Sequence, residues 1–136
     1  MELPRDNSSL TEIFKTANSP RISDFNGEYF VDMLTVLPSL RKFSHRKVFY
    51  SEDNQVLGYN LLFNKFVWGH FFVEESKELD CPNAIINYDS PRNSFLTNKI
   101  RDYVRRVDEN TFLGKFTYLV MGRQYFLGYF SLSKAK

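Results

Sequence analysis

Asn83-Ala-Ile-Ile-Asn-Tyr-Asp-Ser-Pro-Arg92, Ile100-Arg-Asp-Tyr-Val-Arg-Arg-Val-Asp-Glu-Asn-Thr-Phe-Leu-Gly-Lys-Phe116 and Tyr125-Phe-Leu-Gly-Tyr-Phe-Ser-Leu132 read as short strands joined by turns. Ser90-Pro91-Arg92-Asn93 and Asp108-Glu109-Asn110 carry turn chemistry, and the flanks are rich in Ile, Val, Phe and Tyr, which suit a pleated surface. The pattern predicts one antiparallel sheet. Its central strand is unusual, because Arg101, Asp102, Arg105 and Arg106 interrupt a core-forming series. If this strand is extended, Arg101, Tyr103, Arg105 and Val107 share one face and Asp102, Val104 and Arg106 share the other. Ile100, Tyr103, Val104 and Val107 also fit a helical i, i+3, i+4, i+7 face, so periodicity alone leaves a helix open.

Upstream the strand rhythm continues. Residues 44–50, 55–64 and 66–75 are predicted strands, separated by Ser51-Glu52-Asp53-Asn54 and Asn64-Lys65 and followed by a polar loop over 76–82. The 29–37 segment is ambiguous: Val31, Leu34 and Thr35 recur at helical spacing, the β-branched content permits a strand, and Pro38 stops either. Ser9-Leu10-Thr11-Glu12 fits a capping box and predicts a short helix through Ala17, ended by Asn18-Ser19-Pro20. Its Leu10, Ile13, Phe14 and Ala17 face should lie across something apolar, such as the end of a barrel.

These elements predict a mainly β protein: an antiparallel up-and-down β-barrel or strongly curled sheet of about seven or eight strands with a short N-terminal helix. Residues 1–24 would be tail and helix, and 25–136 a single barrel domain. Gly58, Gly69, Gly114 and Gly128 fall inside strands, where they permit the coiling a small barrel needs. Phe66 to Val73 and Tyr125 to Phe130 have no polar face, so the N-terminal helix, the 29–37 segment or a second copy of the chain should cover them. A homodimer is therefore a possible partner state.

Composition narrows the function classes. The chain of 136 residues has 14 Phe, 8 Tyr and one Trp, which favours strands around a wide aromatic interior. A formal charge of +2, with no basic run beyond Arg41-Lys42 and Arg46-Lys47, argues against nucleic acid as a partner. Cys81 is the single cysteine, so no internal disulfide forms; it has no neighbouring His and reads as an ordinary thiol. No apolar run resembles a signal peptide or reaches membrane-spanning length, so no membrane span and a soluble, reducing, cytoplasmic setting are expected. His45 and His70 lack HxH, HExxH or CxxC company, so neither metal nor cofactor is expected. No Ser elbow, phosphate loop or catalytic carboxylate pair is present, and catalytic residues stay unassigned.

Ala84-Ile85-Ile86-Asn87-Tyr88-Asp89, Ile100 to Gly114 and the aromatic closing strand together resemble the C-terminal half of the GXWXG type of uncharacterised bacterial domains, and more generally lipocalin-like (calycin) barrels. Phe25-Asn26-Gly27-Glu28-Tyr29 stands where those proteins carry Gly-x-Trp near the start of the barrel, with Tyr29 at the tryptophan position. The resemblance favours a strand over 100–108. It implies a barrel that holds a small hydrophobic or anionic amphipathic ligand, such as a fatty acid, isoprenoid or pigment.

Candidate ligand contacts follow from the residues. Arg101, Tyr103 and Arg105, if turned inward, would favour an anionic head group, because guanidinium matches carboxylate or phosphate; turned outward they would be surface charge. Strand alternation places His70 on one face with Trp68, Phe72 and Glu74. His70 could donate to a ligand or simply be a hydrogen-bonded core residue. Tyr59 and Tyr88, with Asn60, Asn87, Tyr118 and Tyr129, could orient a ligand in a largely apolar pocket. An isomerase or lyase of the calycin type, using His70 or Asp102 as acid-base group, is one alternative, and a homodimeric interaction module without ligand is another.

Overall fold

The turns marked in the sequence are the corners of the sheet. The computed structural model describes residues 2–35, 45–76 and 83–135. Its strands are β1 (Gly27–Met33), β2 (His45–Glu52), β3 (Gln55–Leu62), β4 (Phe66–Ser76), β5 (Asn83–Asn87), β6 (Ile100–Asp108), β7 (Thr111–Val120) and β8 (Arg123–Lys134). Each pairs antiparallel with the next, and β8 returns to β1, with Tyr29 opposite Lys134 and Met33 opposite Phe130. The barrel is closed, and no strand of it keeps a free edge. The 27–33 stretch is therefore a strand of the barrel itself. Residues 100–108 are extended as well: β6 exchanges ladder bonds with both β5 and β7, which decides against the helical periodicity. Cys81, Pro38 and the loop after Ser76 lie outside the described residues.

Helix α1 (Asn7–Thr16) starts earlier than the Ser9 box implies. Asp6 is the N-cap, its Oδ2 accepting the Ser9 amide at 2.8 Å. Nor does α1 cover a barrel end. Leu10 and Phe14 pack on the outer face of β6 to β8, against Leu113, Tyr129, Tyr103 and Val107. Arg105 secures the helix by donating to Phe14 O at 2.7 Å, which satisfies a last-turn carbonyl.

Phe25 performs the plugging instead. A 3-10 turn over Ile22–Asp24 delivers its ring, which stacks on Phe112 at 4.7 Å and meets Phe49 at 5.2 Å. Tyr29 packs edge-on against both Phe49 and Phe112, so four aromatic rings fill this end. Strand alternation places the Asp53-Asn54 and Glu109-Asn110 turns at the plugged end. The connections 63–65, 88–99 and 121–122 lie at the opposite rim.

Close packing leaves Gly58 no room to change. A Cβ on Gly58 would run into the Phe71 ring and the Val48 carbonyl, and the latter is backbone. Gly58→Ala is expected to cost about 1–3 kcal/mol. Urea unfolding checks this; an unchanged midpoint would mean that β2 and β3 can separate freely there.

Candidate functional site

The register of β2 turns Arg46 outward and Lys47 inward. Arg46 stays on the outer surface, 2.8 Å from Glu28 and over the Phe30 ring. Lys47, only 3% exposed, carries its ammonium into the barrel. There its Nζ donates to Asn60 Oδ1 at 2.7 Å and to Tyr88 OH at 2.5 Å, and lies 3.8 Å from Asp102 Oδ2. The rings of Phe71, Tyr88 and Phe130 surround it, with centroids 5.2 to 5.7 Å away. Asn60 Nδ2 in turn donates to Tyr88 OH at 2.9 Å and to Gly69 O at 3.2 Å, while His45 Nε2 lies 2.8 Å from Asn60 Oδ1. Trp68 lies nearly parallel to Tyr88, at 17° and 6.4 Å. Four strands, β2, β3, β4 and β6, and Tyr88 just after β5 thus contribute to one buried polar cluster on the inside of the barrel.

Burial governs its electrostatics. It pushes the Lys47 amine below its usual range and the Asp102 carboxyl above its own, and each partner's charge opposes the shift of the other. Tyr88 is raised by burial and by Asp102, so it stays a phenol. His45 is lowered to about 4, first by burial and then by the Lys47 charge, and is neutral at neutral pH. Two buried atoms of the cluster, Trp68 Nε1 and Asp102 Oδ1, have no hydrogen-bond partner among the described residues. An unmet donor and an unmet acceptor each cost about 1–3 kcal/mol, so both favour a partner.

The residues singled out in the sequence divide between two surfaces. Trp68, Tyr88 and Asp102 join the cluster. His70 does not, and the expectation that it shares a face with Trp68 fails at Gly69. There the pairing passes from Tyr59–His70 to Asn60–Trp68, and the bulge, with Gly69 at φ +65°, sends the two rings to opposite sides. His70 lies beside Tyr59, outside, where Asn93 holds its backbone through bonds of 2.8 and 2.6 Å. Arg101, Tyr103 and Arg105 also occupy the outer face. Arg101 donates to Asn98 O at 2.7 Å, Tyr103 to Gln124, and Arg105 to α1. Lys47 and Asn60 are the residues that the sequence reading passed over or grouped loosely. Their signal was alternation: Lys47 and Phe49 share a face on β2, as do Val56, Gly58 and Asn60 on β3.

No family model matches the chain, and no curated protein matches it in sequence. Among solved structures, that of a protein from Thermomonospora curvata superposes with a TM-score of 0.68, covering 98% of this chain and 90% of that chain at 16% identity. The likeness shows the shared barrel fold and leaves the chemistry of the interior to the residues of this chain.

Proposed function

We propose that this is a lipocalin-like barrel that binds a small amphipathic molecule of the fatty-acid, isoprenoid or pigment class, entering from the rim opposite Phe25. The observation that carries this reading is the buried cluster with an unmet donor on Trp68 and an unmet acceptor on Asp102. A head group that both accepts and donates, such as a hydroxyl or a protonated acid, meets both needs and adds no net charge beside Lys47. The apolar body of the ligand lies on the rim side of the cluster, because the four rings around Phe25 fill the other side.

Trp68 makes the test direct, since it is the single tryptophan of the chain. Native mass spectrometry of freshly purified protein, followed by denaturing extraction, identifies any molecule that co-purifies. Titration with a conjugated polyene fatty acid is expected to quench Trp68 emission, and Lys47→Met to weaken that binding by about tenfold or more. An empty protein whose Trp68 emission ignores fatty acids and isoprenoid alcohols would overturn the reading.

A second reading rests on the 3.8 Å approach of Asp102 to Lys47. A carboxyl raised by burial beside an amine lowered by it can pass a proton to and from a bound molecule, as an isomerase or lyase requires. Asp102→Asn that keeps probe binding and stops chemical conversion of the bound molecule would favour the enzyme over the carrier.

A further inference from the structure

The rim opposite Phe25 differs from the plugged end in one respect that neither the fold nor the interior cluster requires. Among the described residues, three tight turns of the barrel hold left-handed backbone at both central positions. At the plugged end these are Asp53 and Asn54, at φ 50° and 66°, residues that tolerate such backbone. At the opposite rim the same geometry is occupied by Phe63 and Asn64, at 55° and 60°, and by Met121 and Gly122, at 50° and 80°. Phe and Met are poor choices for such backbone, and Met121, 98% exposed, gains nothing from packing; Phe63 meets the Phe66 ring edge-on and still leaves 48% of its surface exposed. The third connection at this rim presents Phe95, 75% exposed, and Leu96. It is fastened to the barrel through Asn93 to β4 and through Tyr118 OH, which donates to Leu96 O at 2.6 Å.

Charge is divided between the ends in the same way. Residues 63–66, 88–99 and 121–123 carry the basic Lys65, Arg92, Lys99 and Arg123 against the single acidic Asp89. The plugged end carries Asp24, Glu52, Asp53, Asp108 and Glu109 against Arg21 and Lys134. The formal charge of +2 conceals this polarity.

We infer that this rim docks on the surface of an anionic phospholipid bilayer, with Phe63, Phe95, Leu96 and Met121 entering the headgroup and acyl boundary and the four cations meeting lipid phosphates and carboxylates. Charge complementarity selects this occupant. Two copies of the rim would repel each other, and aliphatic tips such as Leu96 and Met121 insert into lipid but do not stack on nucleobases. The docking is independent of whether a ligand enters the barrel.

Co-sedimentation with large unilamellar vesicles tests it. The protein is expected to pellet with phosphatidylcholine vesicles that contain phosphatidylserine and far less with phosphatidylcholine alone. F95D/M121D should reduce partitioning more than about tenfold, and K65Q/K99Q/R123Q about fivefold per residue removed. All five positions are exposed, and circular dichroism with the Trp68 fatty-acid titration verifies that each variant keeps its barrel and its interior. Failure to pellet with phosphatidylserine vesicles, or equal pelleting of the variants, would overturn the inference. So would concentration-dependent dimerisation abolished by F95D/M121D, or binding of a single-stranded RNA oligomer in place of vesicles. Lost vesicle binding with intact fatty-acid quenching, or the reverse, separates failure of the docking from failure of the ligand reading.

Discussion

At about pH 7.5, where the Asp102 carboxyl has released its proton and Lys47 keeps its own, Asp102→Ala is expected to lower the stability of the barrel by about 3–5 kcal/mol, as removal of one member of a buried ion pair generally does. The loss comes from Lys47. Without Asp102 its ammonium keeps only the neutral acceptors Asn60 and Tyr88 and the faces of three rings, with no counter-charge and no path to water. Adding Lys47→Met to the same chain should restore most of the loss, because a thioether suits the box formed by Phe71, Tyr88 and Phe130. Urea unfolding of the two variants decides the matter. If the double variant is no more stable than Asp102→Ala, Asp102 supports the barrel by some route other than neutralising Lys47.

The second large effect is in the pH dependence of stability. His45 has a folded value of about 4 against an ordinary 6.5. Between these, the unfolded chain binds a proton that the folded chain refuses, so His45 makes stability rise with pH, by about 3 kcal/mol over the window. Asp102 acts in the opposite sense. Its folded carboxyl, raised by burial above the ordinary 3.8 against the opposing pull of the Lys47 charge, keeps a proton that the unfolded chain has released, so its contribution falls as pH rises through the same range. The two oppose each other in the native chain and separate on mutation. Asp102→Asn is expected to leave stability rising from pH 4 to 6.5, and His45→Gln to leave it falling. Equilibrium unfolding at a series of pH values checks both slopes; parallel curves for the native chain and the two variants would mean that neither group is desolvated as its burial implies.

Much of the barrel was legible because its corners are chemically marked. Asp53-Asn54 and Asp108 to Asn110 punctuate strands dense in Phe, Tyr and β-branched residues, and only the order of closure needed the structure. The 27–33 and 100–108 stretches were harder, since two-sided apolar content satisfies helical and strand periodicities alike. Only the ladders on either side resolve them. The site was less legible for a different reason. On β6 both faces contain arginine, so composition could not say that Asp102 points inward and Arg101 and Arg105 outward. Lys47 follows Arg46 in a dibasic pair that resembles ordinary surface charge, and the partner that permits its burial lies on a strand distant in sequence. The Gly69 bulge then separated Trp68 from His70, expected on one face, by breaking strict alternation within one strand.

Closure through β1 and β8 also governs how the chain can acquire its structure. Tyr29 finds its partner at Lys134, so the loop this pairing closes takes in about three quarters of the chain. Neighbouring hairpins can form early and locally, yet the two terminal strands remain unsatisfied edges until the last pairing is made. Folding should accordingly be slow, on the order of milliseconds to seconds, and an intermediate that lacks only this seam presents two strand edges to any like molecule nearby. The same seam that abolishes edges in the native protein is thus its point of greatest exposure to aggregation while it assembles.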